Sequence, residues 1–125
     1  MKVIDTTIAV DHLRGLQAAT RLLTELVAAG DDLYAGELVR FELLAGVRER
    51  ERTALEGFMS ALACVPVDEN VARLAGQLAR RFRRSHAGID AADYLIAATA
   101  QLLGADLLTT NVRHFPMLER LRPAY

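Results

Sequence analysis

At 125 residues the chain is read as one domain, residues 1–125, long enough to bury roughly two-thirds of its unfolded surface; 52% hydrophobic and 25% charged residues set aside a disordered or fibrous chain. A formal net charge of −1 supplies no overall attraction to nucleic acid, so any such role needs a local basic patch. A single cysteine, Cys64, excludes an internal disulfide, and with only three histidines it also excludes a zinc cluster, so any metal site would be built from oxygens.

Taken in order, the chain begins MKVIDTT, which lacks the basic segment and cleavage site of a leader, and no apolar run reaches the length of a membrane span. A reducing cytosol is the expected setting. Val3-Ile4 reads as a short, central first strand with Asp5 at its end. Thr6 and Thr7 are cap candidates for a brief helix that Arg14-Gly15 closes. Gln17 to Ala29 is amphipathic, with Leu22, Leu23, Leu26 and Val27 at helical spacing and Gly30 as the stop. Leu33-Tyr34-Ala35 reads as a second strand, followed by a helix from Glu37 to Val47 that carries Glu42 among apolar neighbours. Arg48 to Arg52 is a charge run at a helix junction. Leu55 to Leu62 predicts a further helix, and Ala63 to Val67 a third strand and its exit.

Asp68 or Glu69 opens a long helix through about Arg84, with Val71, Leu74, Ala75, Leu78 and Phe82 on one face. The stretch Gly88 to Phe115 follows. Asp90 can cap a helix from Ala91 to Leu103 by accepting the backbone N–H of Asp93, and Gly104 is a natural stop. That helix is apolar on nearly every side, which suits packing on a sheet. Asp106 to Thr109 reads as a fourth strand and Thr110-Asn111 as a polar turn. The tail suggests a short helix around Pro116 to Leu118 and an edge strand near Leu121.

Short apolar strands alternating with helices predict a parallel sheet covered on both faces. Ligands gather at the carboxyl edge of such a sheet. Asp5 and Asn111 follow strands there, and Glu42 and Asp93 lie near the starts of helices that return from the same edge. Asp90 and Asp93 taken alone can both be capping residues. Three carboxylates converging among apolar neighbours, however, raise each other's pKa unless a cation joins them. Mg²⁺ accepts one or two carboxylates and leaves positions for water and a substrate phosphate. A water activated by that ion is a candidate nucleophile for phosphodiester hydrolysis.

The motifs IDTTIAVDHLRG, FELLAGVRER and DAADYLIAATAQLLGADLLTTNVRHF occur in that order over essentially the whole chain. With them the chain resembles a PIN domain, and in particular the VapC toxins of bacterial toxin–antitoxin pairs. The resemblance implies a three-layer α/β/α fold with a short parallel sheet of four or five strands. It implies an endoribonuclease dependent on Mg²⁺ or Mn²⁺, a VapB-type antitoxin as partner, an RNA substrate and a homodimer. Matched by motif, Asp5, Glu42 and Asp93 are the catalytic acids and metal ligands. Thr6 matches the hydroxyl residue beside the first acid, and Thr109 the threonine ending the fourth strand. Asn111 departs from the pattern: many PIN domains carry a fourth acid there, and an amide favours one well-held ion over two.

The same match reads Asp90 as the residue that starts the helix and Asp93 as the ligand. Asp11 is read as a helix-surface residue or a partner of Arg14, Glu37 as a cap and Asp106 as the start of a strand. Arg80, Arg81, Arg83 and Arg84 fit either a solvated helix end or phosphate contact along RNA, with Arg14 a further candidate. His12, His86 and His114 show no triad-like companions, and Cys64 reads as inert core. A non-catalytic PIN-like module that binds RNA or protein is the alternative. A small phosphatase or nucleotide-binding protein is set aside, since no glycine-rich phosphate loop is present.

Overall fold

The computed structural model describes residues 1–125. Four short parallel strands form the sheet: β1 (Lys2–Ile4), β2 (Leu33–Gly36), β3 (Ala63–Val65) and β4 (Asp106–Leu108), in the order β3-β2-β1-β4. β1 is registered against both neighbours, with Lys2 opposite Leu33 and Ile4 opposite Leu108. Val3 and Ile4 have no accessible surface at all. A β-branched pair buried on both faces is what a central parallel strand requires.

Helices α1 (Thr6–Leu13), α2 (Gln17–Ala28), α3 (Glu37–Gly46) and α4 (Arg52–Ser60) connect β1, β2 and β3. The chain then doubles back through α5 (Glu69–Phe82) and α6 (Ala91–Leu103) to place β4 on the far side of β1. Right-handed crossovers put α1–α4 on one face of the sheet and α5–α6 on the other, giving the three layers. Strand order therefore reverses between β1 and β4, and a crevice opens at the carboxyl end of that pair. The site lies there.

α6 packs against β1, β2 and β4 as well as α5. Tyr94, Ile96, Ala97, Ala98 and Ala100 are buried in a core cluster of 21 residues. Its small alanines let the backbone come close to Val71, Ala75 and Leu78 of α5, which belong to the same cluster. The Asp90 side chain accepts the Asp93 N–H at 3.0 Å, and Gly104 ends the helix in the left-handed region at φ 62°. Tyr94 Oη is buried with no hydrogen-bond partner.

Three local expectations change. The cap of α1 is Asp5 itself and not Thr6 or Thr7, because the Asp5 carboxylate already accepts the Thr6 N–H at 2.8 Å. α4 begins at Arg52, since Arg52, Thr53 and Ala54 continue directly from a tight helical turn over Glu49–Glu51. In the tail the helical turn spans Val112–His114, and no fifth strand forms near Leu121. The residue before a proline avoids the helical region, which ends that turn at Phe115. Arg120 at φ 61° then breaks any extended path through Leu121.

Candidate active site

Asp5 leaves β1 at its carboxyl end and is only 4% exposed. A carboxylate so buried needs every donor within reach. Its Oδ1 accepts from the Thr6 N–H, and its Oδ2 accepts from the Thr109 hydroxyl at 2.6 Å and the Thr7 hydroxyl at 3.1 Å. Thr109 follows β4 directly and is fully buried, so the pairing of β1 with β4 brings its hydroxyl to the acid. The Thr109 oxygen in turn accepts the Asn111 N–H at 2.9 Å. Thr6 joins the next acid: its hydroxyl donates to Glu42 Oε1 at 2.6 Å, tying α1 to α3.

Asp93 stands in the first turn of α6 and forms a reciprocal cap with Asp90. Its Oδ2 accepts the Asp90 N–H at 3.3 Å and lies 3.0 Å from His114 Nδ1. Burial pushes the Asp93 carboxyl up from the usual 3.8 to about 6, and the charges of Asp90 and Asp5 push the same way. The Asp90 N–H and His114 oppose them. His114, for which the sequence shows no triad-like companions, touches both Asp93 and the Asn111 amide, the latter at 3.0 Å. The sequence does carry a signal for this. His114 lies three residues after Asn111, one turn ahead, where a helical turn folds it back over the amide.

These groups, except the fully buried Thr109, line one cavity of about 390 Å³. Its wall holds five carboxylates, from Asp5, Asp11, Glu42, Asp90 and Asp93, and no lysine or arginine. Thr6, Thr7 and Asn111 add polar oxygens, and His114 is the one basic ring. Asp11 belongs to this wall and does not pair with Arg14; it accepts the Tyr125 hydroxyl at 2.6 Å, and burial, helped by that contact, holds the phenol well above its ordinary pKa. Hard oxygen donors and an uncompensated negative wall fit a hard divalent cation. As placed, though, the acids are not preassembled around one point: no three His, Cys, Asp or Glu side chains stand within common metal-binding reach. Each is anchored by the protein, while Glu42 Oε2 and Asp93 Oδ1 have no hydrogen-bond partner.

The arginines lie outside this cavity. Arg14 lines a larger groove of about 760 Å³ with Arg48 and Arg50, which shares Glu42 and Val10 with the acidic cavity. Arg80, Arg83 and Arg84 line a separate hollow at the end of α5, while Arg81 turns away to lie 5.3 Å over the Phe82 ring.

The PIN domain family model matches residues 2–120. The chain belongs to the PIN-domain family. It is 65% identical to Ribonuclease VapC19 of Mycobacterium tuberculosis over 125 residues, covering the whole of both chains. It is 39% identical to Ribonuclease VapC10 of the same organism, covering all of this chain and 93% of that one. Among solved structures, this PIN domain is similar to a toxin–antitoxin complex from Klebsiella pneumoniae at a TM-score of 0.83 and 20% identity, covering 100% and 98% of the two chains. At that identity the likeness speaks for the fold alone. No helix of the domain is long and apolar enough to cross a membrane.

Proposed function

We propose that this PIN domain, taken as residues 1–125, is a metal-dependent endoribonuclease and the toxin of a toxin–antitoxin pair. The observation that carries the reading is the cavity at the strand-order reversal, walled by five carboxylates without one lysine or arginine, in a chain 65% identical to a VapC ribonuclease. Asp5, Glu42 and Asp93 hold the ion, Mg²⁺ or Mn²⁺. When bound, such an ion lowers the pKa of water and stabilises charge developing on a phosphate. The chain supplies the rest. Thr6, Thr7 and Thr109 fix the two oxygens of Asp5. Thr6 also holds Glu42 by Oε1, leaving Oε2 without a hydrogen-bond partner. Asn111 supports the Thr109 hydroxyl through its backbone N–H. Asp90 starts α6 and delivers Asp93 to the wall.

Arg14 beside the cavity and Arg80, Arg83 and Arg84 beyond it suit contact with RNA phosphates. Arg81, engaged with Phe82, is left out of that set. A VapB-type antitoxin is the partner, the domain pairs with a second copy of itself, and it works in the cytosol.

Purified Asp5→Asn, Glu42→Gln and Asp93→Asn variants, assayed on total RNA with Mn²⁺, test the assignment. Each is expected to lose cleavage by at least about a hundredfold while still unfolding cooperatively. Normal cutting by Asp93→Asn would remove it from the site. One observation favours a non-catalytic binding module, namely that the acids are not preassembled. Calorimetric titration with Mn²⁺ separates the two readings: no binding by the wild type leaves the module, and binding lost in Asp5→Asn leaves the nuclease.

A further inference from the structure

Asp93, His114 and Asn111 meet in a three-way contact. His114 Nδ1 has two neighbours at 3.0 Å, Asp93 Oδ2 and the Asn111 side-chain amide. A ring nitrogen without its hydrogen would meet the carboxylate lone pair to lone pair. A nitrogen that carries it makes a charge-assisted hydrogen bond to Asp93. The Asn111 amide then turns its oxygen, not its nitrogen, toward the ring, since a half-turn exchanges the two at no cost in shape. In that arrangement one N–H is shared between Asp93 and Asn111, and the tautomer is fixed. Asp93 Oδ2 is saturated by His114 and the Asp90 N–H, while Oδ1 has no partner in the protein. The ring itself is held by the turn over Val112–His114, closed by the His114 N–H on the Asn111 carbonyl and pinned by Phe115, 1% exposed in the core.

We infer that His114, oriented by Asn111, is a positioning residue that fixes the Asp93 carboxylate so that Oδ1 alone faces the cation. This rests on Asp93 being a ligand, as proposed above. It gives Asn111 a role the missing fourth acid does not suggest: the amide acts through the histidine and does not bind the ion. Partners of this kind typically change metal affinity by about 10–100-fold when removed.

The test is Mn²⁺ affinity by calorimetry, alongside RNA cleavage at limiting and saturating Mn²⁺. His114→Ala is expected to weaken Mn²⁺ binding by about tenfold or more, and excess Mn²⁺ to restore most of the lost cleavage. His114→Asn keeps an N–H at the Nδ1 position and is expected to bind within about threefold of wild type. His114→Gln carries its N–H at the other ring-nitrogen position and is expected to behave like His114→Ala. The Asn/Gln pair keeps the test open if the alanine variant does not fold. Asn111→Ala added to His114→Ala is expected to cause no further loss. Equal affinity of wild type and His114→Ala, or of the Asn and Gln variants, overturns the inference alone. A wild type that binds no Mn²⁺ overturns the metal reading and this inference with it.

Discussion

Thr109 has no accessible surface, yet its hydroxyl donates to Asp5 and accepts from the Asn111 backbone. Thr109→Val keeps the shape but leaves a buried carboxylate short of a donor and an N–H short of an acceptor. Losses of that kind cost about 1–3 kcal/mol each. The valine variant is expected to unfold at clearly lower denaturant and to lose cleavage, and Thr109→Ser to keep most of both; equal midpoints for the two would show that these hydrogen bonds do not hold the site. Asp93 carries the opposite sign. Its pKa is raised from 3.8 to about 6 in the folded chain, so between those values the folded state binds more protons than the unfolded one. Stability of the cation-free protein therefore falls as pH rises through that window. Asp93→Asn is expected to stabilise it by about 1–2 kcal/mol at pH 7.5, a gain that shrinks toward pH 4. Thermal melts in chelator across that range check the slope, and a variant less stable than wild type at pH 7.5 would refute it. Tyr94 is a smaller case. Its buried hydroxyl has no partner, so Tyr94→Phe is expected to be neutral or stabilising by up to about 1 kcal/mol.

α6 carries nearly everything that defines it within its own stretch of sequence. Its cap at Asp90, its stop at Gly104 and its apolar faces are local signals, and the helix runs Ala91–Leu103 as those signals require. Asp5, Glu42 and Asp93 line one cavity at the edge to which parallel topology sends them, but Asp90 and Asp11 line it too, and only the motif singles out those three. What stays hidden is set by contacts between distant segments. The bonds from Thr109 to Asp5 and from Tyr125 to Asp11 span 104 and 114 residues, and no spacing in a single helix encodes them. The tail fails as a strand for a backbone reason at Arg120. Asp90 and Asp93 look alike in sequence but separate at this scale. Asp90→Ser keeps a capping oxygen and removes a charge beside Asp93. It is expected to leave stability within about 0.5 kcal/mol and to lower the Asp93 pKa, read by carboxyl NMR titration. A pKa that does not move would show that Asp90 is not among the charges raising it.

At the scale of the whole molecule, a net charge of −1 conceals a strong segregation of sign. Five acids line one cavity, three arginines share the adjoining groove, and three more line the hollow at the end of α5. None of Arg14, Arg48, Arg50, Arg80, Arg83 and Arg84 has a carboxylate within ion-pair distance. On the proposed function an RNA strand would be repelled by the acidic wall and attracted by these arginines, which would then carry the strand. Each phosphate contact on a single strand adds about 0.7 to the salt slope of binding. The triple variant Arg80→Gln, Arg83→Gln, Arg84→Gln is therefore expected to flatten that slope by about 2, with the cleavage defect lying in KM and vanishing for oligonucleotides too short to reach α5. An unchanged salt slope would return these arginines to the role of a solvated helix end and leave Arg14, Arg48 and Arg50 as the cations able to guide RNA to the site.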